Sequence, residues 1–385
     1  MTTAPVQSFR TRLHRDPLAG HESIPADFAA LMRQALPELA HQESCPLEDL
    51  RIHRIQPHYK SFQAYIVRRQ APGAPVWVIK NTSSADRARI EFEAMQFVAR
   101  LFRTNGHGGE FHFGAIEPVA FLSEPPGIIT RFQSGRSLRP IIDAALQSLP
   151  RSEHMRCAAH YVRGMARWLA VVRQADVHTG AGFTPESFLA LTRRRVEDVR
   201  RRLGRIRLMG HVESCIERYL DRMPEADRIM LANRYPGHGD FCTQNFLVDD
   251  RETIYALDLG SFTYFHTDVD LAQFRIRLEH AIYRGLFVRP RAERLWRTFL
   301  ETYEDDQRHD LHGLLSYLHE ILWIMSANEA GRANGDGNGA ATARRRFKGL
   351  RTTLGRALWL RGRLSWLRRL TGRPDADTRF WGARL

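Results

Sequence analysis

Long apolar runs are absent from this sequence. No stretch approaches the roughly 18 uninterrupted apolar residues of a membrane-spanning helix. The first thirty residues contain Arg10, Arg12 and Arg15 but lack the apolar core of a secretory signal peptide. We therefore expect a cytoplasmic protein.

Cysteine is also scarce. The four cysteines, Cys45, Cys157, Cys215 and Cys242, are far apart and form no Cys-x-x-Cys pair. This spacing excludes both a disulfide framework and a cysteine-based zinc site. We expect ordinary reduced thiols.

Lysine occurs only three times, at Lys60, Lys80 and Lys348, although the net charge is +14. Almost all of the positive charge therefore comes from arginine. A charge of this size favours an anionic partner such as a nucleotide, a nucleic acid or an acidic membrane surface. Because lysine is so rare, the context of each lysine is informative.

The N-terminal part of the chain has the pattern of a small sheet. Three β-like runs, "LRIHRIQ", "SFQAYIVRR" and "APVWVIK", lie between residues 50 and 80, and Ser83 and Ser84 then precede a long amphipathic helix. Two more β-like runs lie between residues 114 and 133, after a loop "NGHGGE" that we expect to be a simple turn. The pattern predicts an α+β lobe of five strands and one helix over residues 50–133.

Helical periodicity dominates the rest of the chain. The segment "SGRSLRP" is predicted to be a connection. The expected helices span residues 153–175, 186–203, 271–285, 290–304 and 309–330. The expected domains are an N-terminal extension (1–49), an N-lobe (50–133), a helical C-lobe (134–330), a flexible linker (331–343) and a tail (344–385).

One segment, "YPGHGDFCTQNFLVDDRETIYALDLG", gathers oxygen-bearing side chains around a predicted β-hairpin. Asn245 precedes the first strand and Asp258 follows the second, so both side chains lie at the same end of the hairpin. Asp240 lies on the loop that enters it, directly after Gly239. Three oxygen donors are thereby predicted to surround one small volume, as Mg²⁺ requires.

The same residues fit the template of a phosphoryl-transfer site. That template has an Asp, an Asn five residues later, a second Asp followed by a Gly, and an upstream strand lysine paired with a helix glutamate. Asp240, Asn245 and Asp258 satisfy its first part. Lys80 ends a predicted strand, and Glu93 lies in the helix that follows.

These motifs resemble those of a known family. "HGDFCTQN", "LDLG" and "DVDLA" are similar to the motifs of the aminoglycoside phosphotransferase and choline kinase superfamily, and the resemblance covers residues 50–330. It implies a two-lobed, protein-kinase-like fold. It further implies that Asp240 is the catalytic base, that Asn245 and Asp258 hold Mg²⁺, and that Lys80 contacts the nucleotide phosphates.

The resemblance assigns supporting roles as well. His238 would support the catalytic loop, and Asp270 would brace the start of the next helix. Glu93 would orient Lys80; Glu91 is an alternative partner, but the context of Glu93 fits the family helix better. The stretch "TRFQSGRSL" looks like the hinge that receives adenine, which places Thr130 and Phe132 near the nucleotide.

The chain departs from the family pattern at its first hairpin. "QPHYKSFQAY" lacks the glycines of the usual phosphate-binding loop, so Ser61, Lys60 or backbone amides would have to take over that contact. Whether the nucleotide is ATP or GTP stays open; ATP is the expected one.

The C-terminal tail is basic and amphipathic. Between residues 344 and 373 it has eleven Arg or Lys residues and no acid, interleaved with leucines, Trp359 and Trp366. Such a segment suits an anionic membrane interface, and it equally suits a helix packed on the C-lobe. Nucleic acid is the weaker alternative, because no RNA-binding motif is present.

The function predicted from the sequence is ATP- and Mg²⁺-dependent transfer of a phosphoryl group to a hydroxyl of a small molecule. The strongly basic composition argues against a polycationic acceptor. A sugar, or a saccharide on a lipid carrier at the membrane surface, fits the basic tail better. The alternative is a non-catalytic, nucleotide-binding module of the same fold that is recruited to a membrane.

Overall fold

The computed structural model describes part of the chain. The described segments are residues 26–42, 49–55, 64–69, 76–104, 107–108, 110–148, 152–178, 233–266, 269–282 and 288–306, with isolated positions at 46 and between 184 and 222. Ser61, the predicted helix 309–330, the linker and the tail lie outside them, as does most of the predicted helix 186–203. None of the helices in these segments has the length and apolar character needed to cross a membrane.

The elements are numbered in chain order. The strands are β1 (Leu50–Ile55), β2 (Ala64–Arg69), β3 (Val76–Asn81), β4 (His107–Gly108), β5 (Phe111–Gly114), β6 (Pro118–Ser123), β7 (Pro126–Arg131), β8 (Arg136–Ser137), β9 (Tyr235–Gly237), β10 (Phe246–Val248), β11 (Thr253–Ala256) and β12 (Thr263–Phe265). The helices are α1 (Ala26–Gln42), α2 (Ala85–Thr104), α3 (Leu138–Gln147), α4 (Glu153–Ala175), α5 (Val269–Ile282) and α6 (Val288–Asp306).

The chain divides into two compact units. The first comprises residues 1–99 and 116–134, and the second comprises residues 100–115 and 135–385. The predicted α+β class is confirmed, because a β-rich first unit is followed by a second unit with most of the helices.

The first unit is built on an antiparallel sheet of five strands in the order β1-β2-β3-β7-β6. Its strands fall on the runs that the apolar pattern predicts. Trp77 and Ile79 of β3 are buried, and their neighbours along the strand are less so, as the two-residue period of a strand requires. Lys80 lies near the end of β3, in register with Ala64 of β2 and Ile128 of β7.

Helix α1 belongs to the core of the first unit, although the sequence placed its residues in an N-terminal extension. The helix side chains that are at most 2% exposed share one face and are Phe28, Leu31, Met32, Ala35, Leu36 and Leu39. They form one cluster with residues of the sheet, and the ring of Phe28 stacks on that of Tyr65 with centroids 4.1 Å apart. Each large side chain buried in this way stabilises the fold by about 1.5–3 kcal/mol.

The second unit contains a mixed sheet in the order β4-β5-β11-β10-β8. Strands β5 and β11 are parallel, and the other pairs are antiparallel. The prediction of a simple turn at "NGHGGE" needs correction, because His107 and Gly108 pair with His112 and Phe111. A separate two-stranded sheet joins β9 and β12.

The helices of the second unit agree with the predictions in three places. The expected helix 153–175 is α4, and the helices expected at 271–285 and 290–304 are α5 and α6. Helix α3 differs from the expectation for "SGRSLRP", because this predicted connection contains the first residues of the helix. Its start is defined by Ser137, whose hydroxyl accepts a hydrogen bond from the amide of Arg139 at 3.3 Å.

An aromatic cluster in the second unit anchors the segment that follows β9. Trp168 of α4 is fully buried against His238, Phe241 and Phe246, with ring centroids 5.5–6.4 Å apart. Phe241 also contacts Phe274 of α5. Residues 238–246 therefore lie on a rigid apolar base, which fixes the backbone around Asp240.

Candidate active site

The predicted β-hairpin is present as β10 and β11. Its turn is organised by Asp249, whose carboxylate accepts hydrogen bonds from the amides of Arg251 and Thr253 and from the hydroxyl of Tyr255. Partial burial raises the pKa of Asp249, but the hydrogen bonds from Thr253, Arg251 and Tyr255 outweigh it, so the pKa lies below its ordinary value. The carboxylate of Asp249 therefore finds its hydrogen-bond donors within the hairpin itself.

The other end of the hairpin brings Asn245 and Asp258 together. The amide of Leu257 donates to the carbonyl of Asn245 at 2.8 Å, which places the residue before β10 beside the residues that follow β11. Asn245 is buried, and its side-chain amide donates to the backbone carbonyl of Asp240 at 2.9 Å and to its carboxylate at 3.1 Å. The structure therefore joins Asn245 to Asp240 directly, and Asp258 follows Leu257, the residue bonded to the backbone of Asn245.

Asp258 has an unusual backbone conformation. Its φ of 57° and ψ of 54° fall in the left-handed region, at the start of a 3-10 turn over Leu259–Ser261. Asp and Asn tolerate this region better than other residues with a side chain, but it still costs free energy. Strain of this kind concentrates at functional sites, where the direction of one side chain matters.

His238 joins the two halves of the site. It is fully buried; its Nδ1 accepts from the amide of Asp240 at 3.3 Å, and its Nε2 contacts the carbonyl of Leu257 at 2.9 Å. Because Nδ1 accepts, the ring proton is on Nε2 and is donated to Leu257. One imidazole thereby ties the loop of Asp240 to the backbone just before Asp258.

Helix α5 clamps the same loop through two side chains. The carboxylate of Asp270 accepts from the amides of His238 and Gly239 at 2.7 and 2.8 Å. Gln273, three residues further along the helix, accepts from the amide of Phe241 at 2.7 Å and donates to the carbonyl of Gly239 at 2.9 Å. Asp270 was predicted to brace the start of the helix and here binds the loop before it, whereas Gln273 was not among the predicted residues.

The Asp270 carboxyl is deeply buried. Burial raises its pKa above the ordinary value, although His238 and the two backbone amides act in the opposite direction. Both oxygens are nevertheless used as acceptors from N–H groups. Asp270 is therefore a structural brace for the loop and is not placed to exchange protons with a substrate.

Gly239 is required by the geometry of the loop. It has a φ of 79°, and a Cβ at this position would lie 2.1 Å from the carbonyl oxygen of Ser261. We expect Gly239→Ala to lower the free energy of unfolding by about 2–5 kcal/mol, because it adds both left-handed strain and a backbone clash. Urea unfolding followed by circular dichroism measures this; an unchanged midpoint would show that the loop conformation is different.

Arg277 of α5 approaches the candidate catalytic base. Its guanidinium nitrogen lies 3.6 Å from a carboxylate oxygen of Asp240. The nearby Cys242 is buried, and burial, followed by the charge of Asp240, raises its pKa to about 12. The thiol is therefore protonated at neutral pH and is not a nucleophile.

In the first unit, Lys80 pairs with Glu91, which corrects the sequence-based preference for Glu93. The ammonium of Lys80 lies 3.0 and 3.2 Å from the two carboxylate oxygens of Glu91, whose side chain is only 2% exposed. Glu93 is 58% exposed and pairs with Arg89 one helical turn away. Residues two apart on a helix point in directions about 200° apart, so both glutamates cannot face the sheet.

Of the two residues predicted to lie near adenine, Thr130 is near the end of β7 and Phe132 directly follows the strand. Thr130 is buried within the strand, in register with Val78 and Pro118. The amide of Phe132 already donates to the carbonyl of Val76 at 2.7 Å. A backbone contact from Phe132 to a nucleotide base would therefore have to use its carbonyl oxygen.

The candidate donors Asn245 and Asp258 of the second unit carry the hard oxygen atoms that Mg²⁺ prefers. Among the described residues, no group of three or more His, Cys, Asp or Glu side chains is placed to hold a metal ion. Mg²⁺ keeps several waters and commonly takes one or two protein ligands together with substrate phosphates. The two hydrogen bonds donated by the Asn245 amide turn its carbonyl oxygen away from Asp240, where it can serve as such a ligand.

These units define a protein-kinase-like α+β fold, as the motif resemblance predicts. The chain is similar to the apo structure of a thermostable mutant of aminoglycoside phosphotransferase APH(4)-Ia, with a TM-score of 0.50 and 13% identity over 87% of this chain and 98% of that one. A glucosamine kinase gives a TM-score of 0.49 at 15% identity, covering 86% of this chain and 84% of that one. The choline kinase LicA from Streptococcus pneumoniae gives a TM-score of 0.48 at 13% identity, covering 85% of this chain and 99% of that one.

Sequence comparisons give no further assignment. No protein-family model matches the chain, and no curated protein sequence matches it. At 13% identity, the likeness with a TM-score of 0.50 establishes the fold alone. The function has to be argued from the side chains of the site.

Proposed function

We propose that this protein is an ATP- and Mg²⁺-dependent phosphotransferase that moves the γ-phosphoryl group to a hydroxyl of a small molecule. One observation supports this most strongly. Asp240 and Asn245 are hydrogen-bonded to each other, and Asp258, which has a left-handed backbone, follows Leu257, whose amide donates to the carbonyl of Asn245. A carboxylate next to two hard oxygen ligands is the arrangement that phosphoryl transfer requires.

In this proposal each residue has one task. Asp240 accepts the hydrogen bond of the acceptor hydroxyl and aims its oxygen at the γ-phosphorus. Asn245 and Asp258 would hold Mg²⁺, which would supply positive charge to offset the charge of the phosphates. Lys80 binds the α- and β-phosphates in the orientation that Glu91 imposes on it. The rate enhancement comes from positioning and from fixed charges.

The supporting residues explain why the loop is rigid. Asp270 and Gln273 occupy four backbone groups of residues 238–241, and His238 links that loop to Leu257. A catalytic carboxylate displaced by about 1 Å loses much of its effect. Five hydrogen bonds hold this short loop, which is consistent with a requirement for precise placement of the Asp240 carboxylate.

A non-catalytic, nucleotide-binding module is the second candidate. Such a module has no need for Asp240, whose carboxylate is 35% exposed and therefore accessible to an acceptor. The combination of an exposed base with an oriented Asn245 favours the enzyme. Membrane recruitment through the tail stays a prediction from sequence.

The decisive experiment is a screen of hydroxyl compounds for ADP release. The purified full-length chain is incubated with ATP and Mg²⁺ in the presence of sugars, amino alcohols and nucleosides. We expect at least one compound to accelerate ADP release, and excess EDTA to abolish the acceleration. ATP binding without any acceptor-dependent turnover would favour the non-catalytic module.

Glu91 and Glu93 provide a matched pair for testing the nucleotide contact. Glu91→Gln removes the carboxylate that orients Lys80, and we expect the KM for ATP to rise about tenfold or more, since a charge-assisted hydrogen bond contributes about 1.5–3 kcal/mol. Glu93→Gln removes only an exposed pair with Arg89 and should change the KM less than twofold. Equal effects of the two substitutions would contradict the assignment of Glu91.

A further inference from the structure

One face of helix α5 is directed at the loop of the candidate catalytic base. Asp270, Gln273 and Arg277 are spaced by three and four residues, so they lie along a single side of the helix. The first two bind backbone groups of residues 238–241. The third, Arg277, does not contact the backbone of this loop and instead approaches the carboxylate of Asp240.

Arg277 is accessible and weakly engaged. Its side chain is 49% exposed, and its nearest nitrogen lies 3.6 Å from Asp240, whereas a charge-assisted hydrogen bond measures about 2.7–2.9 Å. In the described part of the chain, this is the one ion pair of Arg277. The guanidinium has five N–H donors, and a contact at this distance leaves most of them available for another anion.

A second arginine on the same helix shows the contrast. Arg275 is 0% exposed, lies 3.1 Å from the buried Glu279 and stacks over the ring of Trp296. Arg275 is thus fixed in the core by packing and pairing. Within the described residues, Arg277 has no such buried partner or ring stacking, and its one ion pair is the long contact with the carboxylate of Asp240.

The charge of Arg277 bears on which acceptors can bind. An acceptor with a carboxylate or phosphate close to its reacting hydroxyl would be repelled by Asp240 and by the γ-phosphate. A guanidinium beside Asp240 offsets that repulsion and binds either oxyanion with two parallel hydrogen bonds. It would in turn disfavour an acceptor with an ammonium group at the same place.

We propose that Arg277 binds an anionic group of the acceptor, a carboxylate or a phosphate, next to the hydroxyl that Asp240 orients. This inference rests on the proposed phosphotransferase function and narrows its substrate class. Arg277 leaves its long contact with Asp240 for the oxyanion of the acceptor when the acceptor binds. A merely structural role, in which Arg277 only holds the charge of Asp240, requires no preference for the charge of the acceptor.

The test uses two series of acceptors in which one substituent on a common carbon skeleton changes the charge. Glycerol, 3-amino-1,2-propanediol, glycerate and glycerol 3-phosphate form one series; glucose, glucosamine, glucuronate and glucose 6-phosphate form the other. Acceptor-dependent ADP release is measured with ATP and Mg²⁺ for the full-length chain. The proposal predicts the highest kcat/KM for an anionic member, and comparing carboxylates with phosphates identifies which oxyanion is preferred.

Variants then assign the preference to Arg277. Arg277→Gln should raise the KM for the preferred anionic acceptor by about 30-fold, with the KM for ATP changed less than threefold. Arg277→Lys should recover part of that loss, and Arg277→Glu should shift the preference toward the amino compound of the same series. Arg289→Gln removes an exposed arginine that pairs with Glu293 on α6 and should behave as the wild-type protein does.

The outcomes separate this inference from the proposed function. If Mg²⁺-dependent ATP turnover occurs but no anionic acceptor is phosphorylated, or if neutral and cationic acceptors are preferred, the role of Arg277 is wrong and the phosphotransferase function stands. If Arg277→Gln changes kcat equally for neutral and anionic acceptors, Arg277 is only a positioning residue for Asp240. Absence of any Mg²⁺-dependent nucleotide binding would contradict the proposed function itself.

Discussion

Asp240→Asn should lower kcat for phosphoryl transfer by about a thousandfold, since a positioned general base contributes roughly 10²–10⁴. The side-chain amide of the introduced asparagine cannot accept the proton of the acceptor hydroxyl. The loop itself should persist, because Asn245 still donates to the backbone carbonyl of residue 240 and the clamp from α5 involves other atoms. Nucleotide affinity should therefore remain within about threefold of the wild-type value.

The hairpin offers a matched control for this substitution. Asp250 is an exposed carboxylate at the turn end of the same hairpin, so Asp250→Asn makes the identical chemical change away from the site. Single-turnover measurement of ADP formation separates chemistry from binding in all three proteins. Full activity in Asp240→Asn, or an equal loss in Asp250→Asn, would contradict the role of Asp240.

Asp258→Asn is expected to remove the contribution of Mg²⁺ to nucleotide binding and to lower turnover by at least about 100-fold. Asn is chosen because it tolerates the left-handed backbone at this position, whereas Ala would add strain. The side chain keeps its size and loses its charge. Isothermal titration with ADP should show tighter binding with Mg²⁺ than with EDTA for the wild type, and no difference for the variant.

Glu252 is the control for the backbone conformation of Asp258. It has a φ of 61°, is exposed, and lies at the turn end of the hairpin, so Glu252→Asn also removes a carboxylate from a left-handed residue. This control should retain the response to Mg²⁺. A retained response in Asp258→Asn would show that the metal is held by other groups.

Local patterns in the sequence were sufficient to predict much of the fold. The strands of the first unit and helices α2, α4, α5 and α6 lie where apolar periodicity indicates them. The hairpin was predictable because Asp249 and its neighbours have turn chemistry and the two flanking runs are apolar. From the hairpin alone it followed that Asn245 and Asp258 lie at the same end.

Helix α1 shows where such patterns mislead. Its buried residues follow helical spacing from Phe28 to Leu39, but Pro37 lies within the helix. Proline in a helix interior removes one hydrogen bond and usually ends the helix. The helix persists because the sheet of the first unit buries its apolar face, and this tertiary contribution cannot be seen in the local sequence.

The partner of Lys80 could have been predicted from the sequence. In α2 the buried residues Ala88, Met95, Val98 and Phe102 follow one helical face, and Glu91 has the same phase whereas Glu93 does not. Gln273 and Arg277 are different, because their importance depends on which loop the helix faces. That information resides in tertiary contacts 32 or more residues apart in the chain.

The central claim is that Asn245 and Asp258 hold the metal ion of a bound nucleotide. Crystals grown with Mn²⁺ and a non-hydrolysable ATP analogue test it directly, because Mn²⁺ gives an anomalous signal that locates the ion. The account predicts one ion about 2.1–2.3 Å from the Asn245 side-chain oxygen and from the Asp258 carboxylate, in contact with phosphate oxygens and close to Asp240. A nucleotide bound with its metal ion on other side chains would contradict it.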